Sequence, residues 1–301
     1  MFKMSSNDIE IITAISEFRN MTPSQITVFS QKNKQVIWRR LRILEKEGLI
    51  QAIKREFGRG RGRPENSLGV TEYGLKALKE KGILDENIPY EKVGSVSINN
   101  TDHQLLLNWF RIHLEHIENA LPRITVKVMT YNSPFLPKCS NDRIFITNFL
   151  PCGDNERGIK FTPDAVIIIT DSVTGKSCLF FLEVDCGTET IASPKRDMTD
   201  IRQKISNYGM YFDGMGYKRY EDVFKHNFNG FRLLFLTHTH GRLVALCKLT
   251  QEIPSTDFVW LTEFNSITEK SISDAIWVKG GHLQCPRHSI LGSLSNMIKA
   301  D

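Results

Sequence analysis

The amino-acid sequence predicts an α+β protein of two domains, in which a small helical domain with one β-hairpin precedes a larger α/β domain with a mixed sheet. Hydrophobic residues make up 41% of the 301 residues and charged residues 24%, as in folded globular chains. Positive charge is concentrated at one end, because residues 1–85 carry a net charge of +6 and the remainder carries −1. Helical periodicity dominates the first part, whereas strands and helices alternate in the second. We therefore expect a first domain at 1–84, a linker at 85–101 and a second domain at 102–301.

The composition also excludes two classes of protein. No run of about 18 apolar residues is present to cross a membrane, and the N-terminal residues lack the apolar core of a signal peptide. The six cysteines lie far apart and form no C-x-x-C pair, so reduced thiols are expected. These features predict a cytoplasmic protein with no membrane partner.

Three helices are predicted at the start of the first domain. Residues Asn7 to Phe18 place isoleucines at helical spacing. Thr22 and Pro23 then supply an N-cap hydroxyl and a proline at the first helical position. The third helix runs from about Lys32 to Glu47 and ends at Gly48, a typical C-terminal glycine.

A hairpin and a fourth helix complete this domain. Leu49 to Phe57 and Ser67 to Val70 are predicted as its two strands, and Thr71 as the cap of the last helix. The order helix, helix, helix, hairpin, helix is that of a winged helix-turn-helix. Such domains bind DNA with one helix in the major groove and a basic wing beside it.

The third helix has two faces of different character. Its predicted inward face consists of apolar residues, namely Val36, Ile37, Leu41 and Leu44. Its opposite face is polar, basic and aromatic, and we predict that it contacts double-stranded DNA through Lys34, Gln35, Trp38, Arg39 and Arg42. The alternative is a winged helix used for protein contact. Eleven basic residues against three acidic ones between residues 32 and 63 favour DNA.

The predicted wing adds a second basic element. The stretch from Trp38 to Ile50 resembles the recognition helix and first wing strand of many bacterial winged-helix DNA-binding proteins. At the wing tip, glycines alternate with Arg59, Arg61 and Arg63. Glycine permits a close approach of the backbone, and arginine binds phosphates or a narrow minor groove. We predict that these arginines contact DNA.

The second domain has the pattern of a mixed α/β fold. Asp102 caps a predicted helix from His103 to Leu121. Strands and helices then alternate along the chain. The strands are predicted at Ile124–Met129, Asp164–Thr170, Ser177–Asp185, Phe231–Thr237 and Phe258–Thr262, and the helices at Arg196–Tyr211 and Arg242–Leu249.

Three carboxylates on neighbouring strands are the candidates for chemistry. Glu183 and Asp185 are two residues apart on one strand and so share a face, and Asp164 begins the adjacent strand. Converging carboxylates repel one another unless a hard cation lies between them. We therefore predict that Asp164, Glu183 and Asp185 bind Mg²⁺ or Mn²⁺, which could activate water for attack on a phosphodiester.

This arrangement resembles the PD-(D/E)XK, or restriction-endonuclease-like, nuclease core. The resemblance implies that Asp164 and Glu183 bind the metal and that a lysine assists the water. Asp185 stands where that lysine is expected, and Lys204 or Gln203 on the following helix could replace it. Glu115 or Glu118 on the first helix of the domain would complete the pattern. The resemblance therefore makes Asp164, Glu183, Asp185 and Lys204 the candidate catalytic residues.

The chain also resembles the replication-relaxation family of bacterial plasmid and mobile-element proteins, over roughly residues 7–280. The resemblance rests on Asp102-His103-Gln104-Leu105, on Phe161-Thr162-Pro163-Asp164-Ala165, on the stretch from Phe181 to Glu189 with its E-V-D-x-G-T-E string, and on Lys204 to Tyr208. It implies DNA binding in replication, DNA relaxation or mobilisation.

Two hypotheses remain open at this point. The first is a DNA-binding protein of a plasmid or mobile element, acting in replication, relaxation, mobilisation or transcriptional control, and able to form a homodimer. The second is a Mg²⁺-dependent endonuclease or nicking enzyme that its own winged helix targets to DNA. A degenerate nuclease fold, kept only for binding or dimerisation, would explain the same residues without a reaction.

Overall fold

The computed structural model of the protein describes residues 3–55, 64–94, 101–130, 147–149, 159–193 and 200–292. The chain divides into two compact units, and the boundary between them in the described residues follows Ile112. The division falls within helix α6 (Thr101–Ala120), so this helix contributes its first part to one unit and its last part to the other. The segment predicted as a linker, 85–101, contains a short helix and the first residue of α6.

The first unit consists of helices and one antiparallel hairpin. In chain order its elements before α6 are α1 (Ser6–Glu17), α2 (Pro23–Ser30), α3 (Lys34–Lys46), β1 (Ile50–Ile53), β2 (Ser67–Val70), α4 (Glu72–Glu80) and α5 (Tyr90–Val93). The first strand is shorter than predicted, and the predicted residues 56 and 57 lie outside the described part of the chain.

Side-chain caps fix where these helices begin. Ser5 and Asp8 form a reciprocal capping box at α1, and Thr22 forms a second with Gln25 at α2. Each box satisfies backbone N–H groups of the first turn. The start predicted for α2 at Thr22 and Pro23 is therefore confirmed, whereas α1 begins at Ser6, one residue before the predicted Asn7. The apolar faces of these helices then pack into one core, which includes Ile11, Ile12, Ile15, Phe18, Ile37, Leu41, Leu44 and Leu78.

The second unit is a mixed α/β layer structure. After α6 it contains β3 (Ile124–Thr130), β4 (Thr147–Phe149), β5 (Ile159–Phe161), β6 (Ala165–Asp171), β7 (Ser177–Asp185), α7 (Ile201–Asp213), α8 (Arg219–Phe224), β8 (Phe231–Thr237), α9 (His240–Gln251), β9 (Val259–Glu263), α10 (Phe264–Glu269) and β10 (Val278–Lys279). The described residues thus hold ten α-helices in all, and none of them is long and apolar enough to span a membrane.

Six strands form the main sheet in the order β10-β9-β8-β7-β6-β3. The central strands β7, β8 and β9 run parallel, and the two edges are antiparallel. Strands β6 and β7 are almost entirely buried, which explains why their sequences are continuous apolar runs. The parallel register pairs Glu183 with Phe235 and Asp185 with Thr237, so both acidic residues lie where β7 ends.

Candidate functional site

The turn before α3 sets the direction of this helix. Residues 31–33 separate α2 from α3, and Gln31 adopts a left-handed backbone conformation with φ of 53°. The Asn33 side chain then accepts a hydrogen bond from the Gln35 backbone N–H at 2.8 Å. This cap satisfies a backbone N–H group in the first turn of α3.

The inner side of α3 carries Arg40, whose charge is paired with a carboxylate of the same unit. Asp8 is fully buried, and its carboxylate accepts hydrogen bonds from Nε and Nη2 of Arg40. Burial acts to raise the pKa of Asp8, but the hydrogen bonds from Arg40 and Ser5 outweigh it and lower the pKa. Arg40 therefore fixes α3 against the start of α1.

The outer side of α3 carries the cations that the sequence predicts. Lys34, Gln35, Arg39 and Arg42 are all exposed. Among the described residues none of the three cations in this set has an ion-pair partner. The Lys34 ammonium lies 5.9 Å from the ring centroid of Trp38. Trp38 itself is half-buried, and its indole N–H has no hydrogen-bond partner within the described part of the chain.

One residue of α3 does not lie where the apolar pattern predicts. Val36 is 44% exposed, whereas Ile37, Leu41 and Leu44 are buried. These three occupy positions i, i+4 and i+7, which form a single stripe, and Val36 lies about 100° away from Ile37 around the helix. Val36 therefore belongs to the outer face with the cations.

The wing is described only at its base. The predicted contacts Arg59, Arg61 and Arg63 lie outside the described residues. At the base, Arg55 donates to the Asp102 carboxylate at 2.6 Å and to the Glu65 carbonyl at 3.2 Å.

The candidate carboxylate site lies at the end of β7 that carries Glu183 and Asp185. Asp164 immediately precedes β6, and its backbone N–H donates to the Leu182 carbonyl at 3.0 Å. Its carboxylate accepts a hydrogen bond from the Val184 backbone N–H at 2.8 Å. These two bonds place Asp164 beside Glu183, as the sequence predicts for adjacent strands.

Glu183 is buried and has two partners on α7. One carboxylate oxygen accepts from the Tyr208 hydroxyl at 2.6 Å, and the other accepts from the Lys204 ammonium at 3.0 Å. Burial raises the pKa of Glu183 to about 7, with Lys204 opposing the shift and Asp164 adding to it.

Lys204 has a second partner, the exposed Glu189, at 3.1 Å. Burial acts to lower the pKa of Lys204, but Glu183 and Glu189 outweigh it and raise the pKa, so the amine stays protonated. Of the two candidates on α7, Lys204 is thus the one beside Glu183. Gln203 instead donates to Asn207 at 2.8 Å.

Asp185 has a different environment. Its carboxylate is buried and accepts hydrogen bonds from Nε and Nη2 of Arg242, in the first turn of α9, and from the Gly187 backbone N–H at 2.9 Å. Arg242 also donates to the Glu189 carbonyl at 2.6 Å. Asp185 therefore belongs to a salt bridge that joins β7 to α9 and to the loop after β7.

These contacts do not fit a preformed site in which three carboxylates hold Mg²⁺ or Mn²⁺. The oxygens of Glu183 and Asp185 already accept hydrogen bonds from protein cations, and within the described residues no three His, Cys, Asp or Glu side chains are grouped to hold a metal. The ammonium of Lys204 supplies the positive charge beside Asp164 and Glu183. Glu118, a candidate to complete the set, accepts instead from the Val126 backbone N–H.

Two partners in this site are not among the residues predicted from the sequence. Tyr208 lies four residues after Lys204, the spacing that puts both on one helix face, so a signal for it is present. Arg242 is 57 residues from Asp185 in sequence, and only the parallel pairing of β7 with β8 brings it near.

The comparison with protein families identifies the chain. The replication-relaxation family matches residues 12–226, which is more than two thirds of the chain. The protein therefore belongs to the replication-relaxation family, and membership indicates a role in the replication or relaxation of plasmid or mobile-element DNA. No curated protein and no solved structure matched the chain.

Proposed function

We propose that the protein binds double-stranded DNA through a winged helix-turn-helix in its first unit, and that it acts in the replication, relaxation or mobilisation of a plasmid or mobile element, or in the transcriptional control of that element. The order α1, α2, α3, β1, β2, α4 supports the assignment of this domain. In this arrangement α3 is the recognition helix.

The observation that carries the proposal is the difference between the inner and the outer arginines of α3. Arg40 on the inner side is paired with a buried carboxylate, whereas Arg39 and Arg42 are exposed and have no carboxylate partner among the described residues. If Arg39 and Arg42 served only to stabilise the fold, we would expect each of them to have a carboxylate partner. Unpaired, they can neutralise DNA phosphates and release counterions without breaking internal salt bridges.

The double variant Arg39→Ala/Arg42→Ala tests this role. We expect weaker duplex binding, by about 1–3 kcal/mol for each interaction with a base that the substitution removes. A gel-shift titration at fixed salt measures the change. The matched control is Lys76→Ala/Lys81→Ala, which removes two exposed positive charges from α4 and the residue after it. Equal affinities for the variant and the wild type would contradict the assignment of α3.

A second candidate function is nucleolytic, within a PD-(D/E)XK-like second unit. The observation that favours it is the 3.0 Å contact between Lys204 and Glu183, because it puts a lysine where the resemblance to that fold requires one. The strand order, with antiparallel β3, β6 and β7 followed by parallel β8, also supports this fold. The dependence on Mg²⁺ or Mn²⁺ remains a prediction from the sequence.

Nicking of supercoiled plasmid with added Mn²⁺ distinguishes the two functions. A nuclease should lose nicking in the Glu183→Gln variant and keep duplex binding through α3. Wild-type protein that binds duplex DNA but never nicks it would leave the second unit as a binding or dimerisation module.

A further inference from the structure

The second unit contains an open cleft of about 1130 Å³ among its described residues, and no role has yet been assigned to it. It lies where β7, β8 and β9 begin, at the opposite end of these strands from Glu183 and Asp185. Its volume lies slightly above the usual range for small-molecule pockets, roughly 300–1,000 Å³, so it can accept a ligand of nucleotide size or larger.

Positive charge dominates the lining of this cleft. Lys176, Arg232 and Arg287 line it, and none of the three has an ion-pair partner in the described part of the chain. A fourth cation, Lys279, pairs with the exposed carboxylate of Asp257 at 3.0 Å. The cleft therefore carries three uncompensated cations and suits an anionic ligand.

Two aromatic side chains lie within cation–π distance of one of these cations. The Arg232 guanidinium lies 4.6 Å from the ring centroid of Trp260 and 5.9 Å from that of Phe180. Trp260 is only 5% exposed, so it acts as a buried support and is not itself a surface for a ligand. A guanidinium is a planar, charged group on which an aromatic ring can stack.

Apolar surface lines another part of the cleft. Phe212 and Phe258 both line the cleft and are stacked on each other, with centroids 5.4 Å apart and an interplanar angle of 19°. Both are half-buried. The cleft thus combines cations for phosphate with the planar guanidinium of Arg232 for a base, and it has apolar surface elsewhere in its lining.

We propose that this cleft binds nucleotides, either free or as units of a single strand, with the base on Arg232 and phosphate on Lys176 and Arg287. Stacking together with phosphate contacts is how proteins bind single strands without reading their sequence. This site is distinct from duplex binding by α3, and each can fail without the other.

Anisotropy of a short labelled oligothymidylate tests the site. The triple variant Lys176→Gln/Arg232→Gln/Arg287→Gln should bind it about tenfold or more weakly. It removes two cations whose hydrogen bonds to phosphate would be charge-assisted and the guanidinium on which the base would stack. The matched control is Lys225→Gln/Lys248→Gln/Lys270→Gln, which removes three exposed cations that do not line the cleft. The Arg39→Ala/Arg42→Ala variant should retain oligothymidylate binding and lose duplex binding, whereas the cleft variant should do the reverse.

Cysteine labelling gives a readout that does not depend on variants. Cys178 is exposed and lines the cleft, with its Sγ 3.9 Å from Nη1 of Arg232, and Cys285 is exposed but does not line it. A bound nucleotide should slow alkylation of Cys178 and leave Cys285 unchanged in the same molecule. Protection by thymidine monophosphate would identify free nucleotide as the ligand, and protection by the oligonucleotide alone would identify a strand.

Two results would overturn the proposal. One is alkylation of Cys178 at an unchanged rate with both probes. The other is equal protection by inorganic phosphate at the same concentration, because the base would then contribute nothing. The double variant Lys176→Gln/Arg287→Gln keeps Arg232 on Trp260, so it covers the case in which the triple variant fails to fold.

Discussion

Two clusters of charge, the outer face of α3 and the carboxylate site at the end of β7, use the same residue types in opposite ways. On the outer face of α3, Lys34, Arg39 and Arg42 are exposed and have no carboxylate partner among the described residues, in contrast to Arg40 on the inner side. At the end of β7, Lys204 and Arg242 are each bonded to buried carboxylates. The cations of α3 are available to an external polyanion, whereas those of the second unit hold helices to a sheet.

This difference predicts where a mutation will act. A buried charge without its partner keeps its desolvation penalty, so the effect appears in stability. An exposed charge that is removed changes little in the folded chain, so the effect appears in binding. Three measurements test this contrast, from the largest expected effect to the smallest.

The largest expected effect is the contribution of Glu183 to the pH dependence of the unfolding free energy. Its pKa in the folded protein is about 7, against a usual value of 4.5, so the folded state holds a proton that the unfolded state releases. The contribution of Glu183 to the free energy of unfolding is fully present below about pH 4.5 and is lost as the pH rises to about 7. We expect the wild type to lose about 3 kcal/mol over that interval relative to Glu183→Gln.

Urea unfolding of the two proteins from pH 4.5 to 8 measures this difference. Subtracting one profile from the other removes the contributions of carboxylates with lowered pKa values, such as Asp8 and Asp171, which act at lower pH. Parallel profiles for the wild type and the Gln variant would show that Glu183 is not a buried, proton-binding carboxyl.

The second-largest effect is expected on stability, when the cation beside Glu183 is removed. The Lys204→Met variant should be destabilised by about 2 kcal/mol at pH 8, because Glu183 remains buried without its ammonium partner. Adding Glu183→Gln should recover most of this stability, which a double-mutant cycle measures. Lys248→Met, at an exposed position on α9, is the control and should change stability by less than about 0.5 kcal/mol. A double variant as unstable as Lys204→Met would refute the pairing.

The smallest effect on stability is expected on α3. Arg39→Ala/Arg42→Ala should change the unfolding free energy by less than about 0.5 kcal/mol, although we expect the same variant to bind duplex DNA more weakly. Thermal unfolding of the free protein is sufficient to measure it. A large drop in melting temperature would mean that these arginines hold the fold, and the contrast between the two clusters would fail.

Buried apolar runs are the part of the fold that the sequence locates best. The bounds predicted for β7 and β8 are those in the structure, because a continuous apolar run between turn signals has few other places to lie. Helix ends differ by a few residues where capping decides them: α3 begins after Asn33, not at Lys32. The inward prediction for Val36 is wrong because an apolar residue beside the buried stripe need not belong to it.

The carboxylate site is predicted less completely, for a reason that lies in chain topology. Asp164, Glu183 and Lys204 come from the start of β6, from β7 and from the helix after them, and local order brings them together. The partner of Asp185 comes from a helix beyond the next strand, and no pattern within β7 indicates it. The positions of Glu183 and Asp185 on one strand therefore predict that the Glu183 side chain lies near Asp164. They do not predict which cation binds each carboxylate.

The single carboxylate of Asp8 links the beginning of the chain to the helix that we propose reads DNA. It closes the capping box of α1 with Ser5 and at the same time holds Arg40 of α3. The rotation of α3 about its own axis, and with it the choice of side chains turned outward, is thus tied to the first turn of α1. A truncation or fusion that disturbs residues 5–8 would alter what α3 presents to a groove without touching any residue that enters it.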